Sequence, residues 1–240
     1  GGSVDTVAII NHKGGVGKTT TAVCLAGALV ESGHRVLLVG LDPQASASSW
    51  LGADDDGSGL LAALVDGKPL EDSVRETESG IDVIPSGPAL DRLDRSVSGE
   101  PGVDRLLAAS LERLPRRWDV VLLDCPPNLS LASVNALCAA RWVVVPVEAN
   151  FMSLAPLARL FEMISRVRER LGGEVEIAGL VCCRVDGRSR QPKEVRGLLE
   201  ERFGARMFET IIRQNVRLAE AASFGKSVVS YAPKSTGAAD

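Results

Sequence analysis

Short runs of β-branched and other apolar residues recur along the chain, separated by longer stretches in which apolar positions return at helical spacing. The runs Val7–Ile10, Val36–Val39, Ile81–Ile84, Val120–Leu123, Trp142–Val147 and Ile177–Val181 read as strands. They are apolar throughout rather than alternating, which predicts strands covered on both faces. Helical spacing predicts helices over Thr19–Glu31, Val103–Leu114, Leu129–Ala139, Leu154–Leu171 and Lys193–Phe203. Strands and helices in alternation predict an α/β fold, a mostly parallel twisted sheet with helices on both faces. The Gly-, Asp- and Ser-rich stretches Ala53–Gly59 and Ser96–Gly102 are expected to be the least ordered. No repeat and no linker interrupts the pattern, so residues 4–240 are expected to form one domain. Gly1-Gly2-Ser3 reads as a cloning remnant.

The first predicted strand runs directly into Asn11-His12-Lys13-Gly14-Gly15-Val16-Gly17-Lys18-Thr19-Thr20, and a helical pattern follows. Strand, Gly-rich loop and helix is the setting that a phosphate-binding loop requires. The strict G-x-x-x-x-G-K-[ST] spacing fails, because His12 stands where the first glycine belongs. The physics does not depend on that glycine. Glycines let backbone N–H groups turn toward phosphate oxygens, and the following helix presents its positive end to them. Gly14, Gly15, Val16, Gly17, Lys18, Thr19 and Thr20 are therefore the candidate nucleotide-binding residues. Lys18 is the candidate for the β- and γ-phosphates and the Thr19 hydroxyl for Mg²⁺. Lys13 adds a second cation, more than one nucleotide needs.

Two further strands end in acids. Asp42 follows Val36–Val39 in the turn Gly40-Leu41-Asp42-Pro43-Gln44, and Asp124 follows Val120–Leu123. Ligands of open α/β sheets bind at the carboxyl ends of strands. A carboxylate there, beside a triphosphate, can hold Mg²⁺ directly or through water and orient the attacking water. Asp42 and Asp124 are thus candidate metal residues, and Asp42 is the candidate most closely tied to hydrolysis.

The loop K-G-G-x-G-K-T and these strand ends resemble the deviant Walker A ATPases, the group that includes ParA, MinD and the nitrogenase iron protein. Within the group, Gln214-Asn215-Val216-Arg217-Leu218-Ala219-Glu220 through Phe224-Gly225-Lys226 and Tyr231-Ala232-Pro233-Lys234-Ser235-Thr236-Gly237-Ala238 resemble the ParA/Soj family. The resemblance spans Val7 to Ala238. It implies an ATP hydrolase, slow and partner-stimulated, that uses ATP and Mg²⁺. It implies a homodimer enclosing two nucleotides, with Lys13 reaching the partner's nucleotide and Lys13, Lys18 and Asp42 serving catalysis. It implies non-specific binding to double-stranded DNA, a ParB-like or cargo-adaptor partner, and a cytoplasmic, nucleoid-associated location. The cargo, whether chromosome, plasmid or protein assembly, stays open. The family usually reads D-x-D-P-Q where this chain reads Gly40-Leu41-Asp42-Pro43-Gln44, so one acid is missing. By the same resemblance, Cys183-Arg184 and the Pro233 turn are candidates for the adenine contact. Members often carry one more helix past the last motif, which is absent here or has been removed, and the chain resembles the short members that lack an amino-terminal DNA-reading extension.

Composition narrows the alternatives. The chain has 240 residues, 45% of them apolar and 24% charged, with a net charge of −4, which suits a soluble globular protein. Its five cysteines show no metal-ligand spacing and read as reduced, buried thiols. No apolar run is long enough to span a bilayer, and Ser235–Asp240 cannot supply the basic amphipathic tail of a MinD-type membrane regulator. A MinD-type regulator and an ATP-dependent ligase acting on a small carboxylate, like relatives of dethiobiotin synthetase, remain the other readings. From Arg184 to Arg217 nine basic residues face five acids, a local excess suited to a polyanion. Aromatic residues are sparse there, which argues for phosphate contacts rather than base stacking. The resemblance implies Arg188 and Arg217 as DNA contacts, with Arg190 and Lys193 as helpers.

Overall fold

The structure is a computed structural model that describes residues 4–148, 150–186 and 191–240, excepting the side chains of Phe151 and residues 191–193. The strands are β1 (Asp5–Ile9), β2 (Val36–Gly40), β3 (Arg75–Glu76), β4 (Asp82–Ile84), β5 (Val120–Asp124), β6 (Trp142–Glu148), β7 (Glu176–Val185) and β8 (Met207–Arg213). The α-helices are α1 (Lys18–Glu31), α2 (Ser46–Trp50), α3 (Ser58–Val65), α4 (Leu93–Ser96), α5 (Leu106–Glu112), α6 (Leu131–Ala139), α7 (Leu154–Leu171), α8 (Gln191–Phe203), α9 (Val216–Ser223), α10 (Val228–Tyr231) and α11 (Thr236–Ala239).

The strands form one sheet in the order β3-β4-β2-β5-β1-β6-β7-β8. Every neighbouring pair is parallel except β3 with β4. Successive side chains on a strand point to opposite faces, and the core divides accordingly. Ala8, Ile10, Leu37, Val39 and Leu123 join the layer under α3, α5, α6 and α7. Ile9, Val36, Leu38 and Leu122 join the layer under α1 and α2. Both faces are thus buried, as continuously apolar strands require.

The predicted fold class is the observed one, and all six predicted strands are present. The short strand β3 and the helices α2, α3, α4, α9, α10 and α11 lie where no element was predicted. β7 is longer than predicted, and β8 was not predicted at all. Its residues are largely exposed or half-buried, so it lacks the continuous apolar run that marked the others. The turn at Ala53–Gly59, expected to be poorly ordered, is hydrogen-bonded: the Gly57 and Ser58 N–H groups donate to the Asp55 and Asp56 carboxylates at 2.8 and 2.9 Å.

The carboxy-terminal segment closes over α1. A Cβ placed on Gly27 of α1 would lie 2.3 Å from Ser227. Helix propensity alone would make Gly27→Ala stabilising by about 1 kcal/mol. The close approach makes it destabilising instead, by about 1–3 kcal/mol, as measured by urea unfolding.

Candidate nucleotide site

β1 lies between β5 and β6, with its crossover to β2 on one side and β6 on the other. Its carboxyl end is therefore where the sheet opens a crevice for a ligand. The loop leaving it is fixed by Asn11, which is buried: its Nδ2 donates to the Pro146 carbonyl at 2.7 Å, and its Oδ1 accepts from the Lys13 N–H at 3.0 Å. Gly15 and Gly17 take left-handed φ angles of 74° and 97°, the region open to glycine without strain. Gly17 caps α1, whose first turn carries no acid, so nothing competes with an anion at the helix's positive end.

A cavity of about 840 Å³ opens beside this loop. Gly14, Gly15, Gly17, Lys18, Thr19, Thr20 and Asp42 line it together with Trp50, Cys183 and Arg184. Val16 is fully buried behind the loop. Pro233, offered as an adenine contact, does not line it, whereas Cys183 and Arg184 do. A larger concavity, about 1070 Å³, lies at the other end of the sheet around Arg105, Arg141 and Arg168. It lacks the loop, the helix terminus and the hydroxyl–carboxylate pair, so the chemistry and not the size selects the site.

The two lysines face opposite ways. Lys18 is buried and donates from Nζ to the Lys13 carbonyl at 3.0 Å. Burial lowers its pKa, while the Asp124 charge opposes that shift. Lys13 turns its Nζ out of its own cavity, to Glu148 Oε2 at 3.1 Å and Asn150 Oδ1 at 3.3 Å. Glu148 and Asn150 are bonded to each other at 2.8 Å. Neither stood out in the sequence, because nothing there marks β6's end as the lysine's neighbour.

Asp124 is buried at the end of β5, and its Oδ2 accepts from the Thr19 hydroxyl at 2.8 Å. Its Oδ1 has no hydrogen-bond partner. Burial raises its pKa to about 7, with the Asp42 charge adding to the rise and Thr19 and Lys18 opposing it. A buried carboxylate oxygen without a donor, beside a hydroxyl and near a second carboxylate, fits a hard divalent cation such as Mg²⁺, which typically takes one or two carboxylates and fills its sphere from phosphate and water.

Gly40, the position of the missing acid, has no room for one. A Cβ there would lie 2.6 Å from the Ser86 hydroxyl and 3.2 Å from the Ser86 nitrogen. Ser86 is in turn fixed by Ser48 of α2, whose Oγ accepts from the Ser86 N–H at 3.0 Å. The segment carrying Asp42 is thus clamped from below by two buried serines. It is held again at Trp50, whose Nε1 donates to the Lys226 carbonyl at 2.8 Å.

On the basic segment, Arg217 is exposed but engaged, with Glu220 at 2.6 Å, and Tyr231 donates to the same Glu220 oxygen at 3.2 Å. Arg213 bonds Asp240, and Arg196 bonds Glu200. Among the described residues of the segment, these three are paired with acids. Arg188 and Arg190 lie outside the described residues, as does the side chain of Lys193 on α8.

The raised pKa of Asp124 carries a pH dependence. A folded-state pKa above the unfolded value near 3.8 means stability present at low pH and lost as pH rises through about 7. Asn cannot ionise. In nucleotide-free protein, the Tm of Asp124→Asn relative to wild type should therefore rise between pH 5 and pH 8, as followed by differential scanning fluorimetry. A difference flat with pH would show that ionising Asp124 costs nothing.

Comparison with known proteins agrees with this chemistry. The family model described as an AAA domain matches residues 4–177. The chain is 42% identical over 236 residues to the chromosome-partitioning ATPase Soj of Thermus thermophilus, covering 98% of this chain and 91% of that protein. It is 34% identical over 234 residues to the chromosome partitioning protein ParA of Myxococcus xanthus, covering 96% and 83%. Among solved structures, cobyrinic acid a,c-diamide synthase from Mycobacterium smegmatis, with bound ADP and magnesium, superposes with a TM-score of 0.85 at 26% identity, covering 93% of each chain. By its loop, its topology and its relatives, the chain belongs to the ParA/Soj family of P-loop partition ATPases.

Proposed function

We propose that this ATPase dimerises around ATP, binds duplex DNA without regard to sequence, and positions or segregates a cargo until a ParB-like or adaptor partner stimulates hydrolysis. The observation that carries this reading is the orientation of Lys13. Its ammonium is turned out of its own cavity and held at the surface by Glu148 and Asn150. A cation so placed serves the nucleotide of a second copy better than its own. Lys18, the loop amides and the amino terminus of α1 bind the phosphates, and Thr19, Asp42 and Asp124 hold Mg²⁺, which supplies charge to offset that developing on the transferred phosphoryl group. Asp42 orients the attacking water. The clamped segment carrying Asp42 and the absent acid at Gly40 favour slow intrinsic turnover.

Duplex binding rests on Arg217 of α9, with Arg188, Arg190 and Lys193 as the further contacts that the resemblance implies. Phosphate contacts of this kind are sequence-independent and salt-sensitive. Two copies on one dimer raise the avidity of a weak patch, which links nucleotide state to DNA binding. No helix among the described residues is long and apolar enough to cross a membrane. A second reading, activation of a small carboxylate by ATP, draws support from the likeness to cobyrinic acid a,c-diamide synthase.

Retention on random-sequence duplex DNA, with ATP, ADP and no nucleotide, separates the two. Positioning requires ATP-dependent, salt-sensitive retention that Arg217→Glu abolishes. Because Glu220 occupies Arg217, Glu220→Gln should strengthen ATP-state binding by about two- to fivefold, the scale of one weak ion pair. Equal retention in every nucleotide state, or none at all, would move the small-molecule reading to the front.

A further inference from the structure

Arg184 lies near the end of β7 with φ at +55°, a left-handed conformation that residues with side chains rarely adopt. The β7–β8 register is irregular between Cys182 and Val185, so the ladder yields at this residue. The consequence is directional. Neighbours on a regular strand point to opposite faces, yet Cys183 and Arg184 both line the nucleotide cavity. The left-handed turn brings the guanidinium over the phosphate loop, where Nη1 donates to the Gly15 carbonyl at 3.0 Å. The Lys18 ammonium holds the Lys13 carbonyl in the same way. Two carbonyls of the loop are thereby tied to cations. A carbonyl turned toward a phosphate repels it, whereas the N–H groups of a turn attract it.

We propose that Arg184 is a positioning residue for the nucleotide: it holds the Gly15 carbonyl back so that the loop amides face the phosphates, and the strained backbone at 184 exists to place its guanidinium there. Local strain persists where the surroundings impose it and clusters at functional sites. The remaining N–H groups of the guanidinium stay available to the cavity. The inference rests on ATP binding at this loop and is independent of DNA binding.

Three variants test it, with affinity for a fluorescent ADP analogue, steady-state ATP hydrolysis and thermal midpoint as readouts. Arg184→Gly removes both strain and guanidinium. It should raise the midpoint of the nucleotide-free protein while weakening nucleotide binding about tenfold, the scale of one charged hydrogen bond. The loss should fall on KM, with kcat within about twofold, because the residue acts on binding rather than on the reacting atoms. Arg184→Gln should weaken binding similarly without raising the midpoint, and Arg184→Lys, which keeps a charged donor, should recover part of the affinity. Wild-type affinity in Arg184→Gly would overturn the inference. So would a loss of affinity that merely tracks a lowered midpoint across the three variants.

Discussion

A carboxylate buried at the end of the central strand is the constraint around which this site is arranged. Asp124 sits at the end of β5, and β5 lies between β2 and β1, so one buried charge meets the phosphate loop on one side and the Asp42 turn on the other. An ionised carboxylate in such a place is costly unless cations and donors surround it. Thr19 and Lys18 answer part of that need, and one oxygen is left without a donor. That unpartnered oxygen sits beside the Thr19 hydroxyl and near Asp42, a donor set that suits a divalent cation.

The positive charges are distributed with the same economy. Lys18 stays inside and is held on the loop's own backbone. Arg184 crosses from β7 to hold a second loop carbonyl. Lys13 alone is turned outward, against Glu148 and Asn150. These are surface-accessible, hydrogen-bonded contacts of a kind that contributes modestly to stability, so the proposed dimer could exchange them at little cost. The carboxy-terminal segment is tied to the same site through Trp50 and Lys226. Its acids occupy Arg213 and Arg217, so the proposed DNA-binding edge is partly masked in the structure described.

Much of this was legible in the sequence, for physical reasons. Buried parallel strands must be apolar throughout, which exposed β1, β2, β5 and β6. A phosphate loop needs glycines, a lysine and a hydroxyl at fixed positions, which exposed Lys18 and Thr19. What could not be read depends on contacts between distant segments. β8 is half-exposed and carries no apolar run. Glu148 and Asn150 matter only because β6 ends beside the loop. The reason for glycine at position 40 is Ser86, which lies 46 residues further along and reaches it only through the β2–β4 pairing. Arg184 is one arginine among many until its left-handed backbone is seen.

The role of Lys13 is tested most directly by the molar mass in solution, by light scattering, of wild type and Lys13→Ala with Mg²⁺ and a non-hydrolysable ATP analogue. If the outward lysine serves a second copy's nucleotide, wild type shifts to twice the mass of one chain, and Lys13→Ala binds the analogue but stays monomeric. A Lys13→Ala protein that doubles in mass as readily as wild type would contradict that role, and a wild type that remains monomeric with nucleotide bound would contradict the dimer itself.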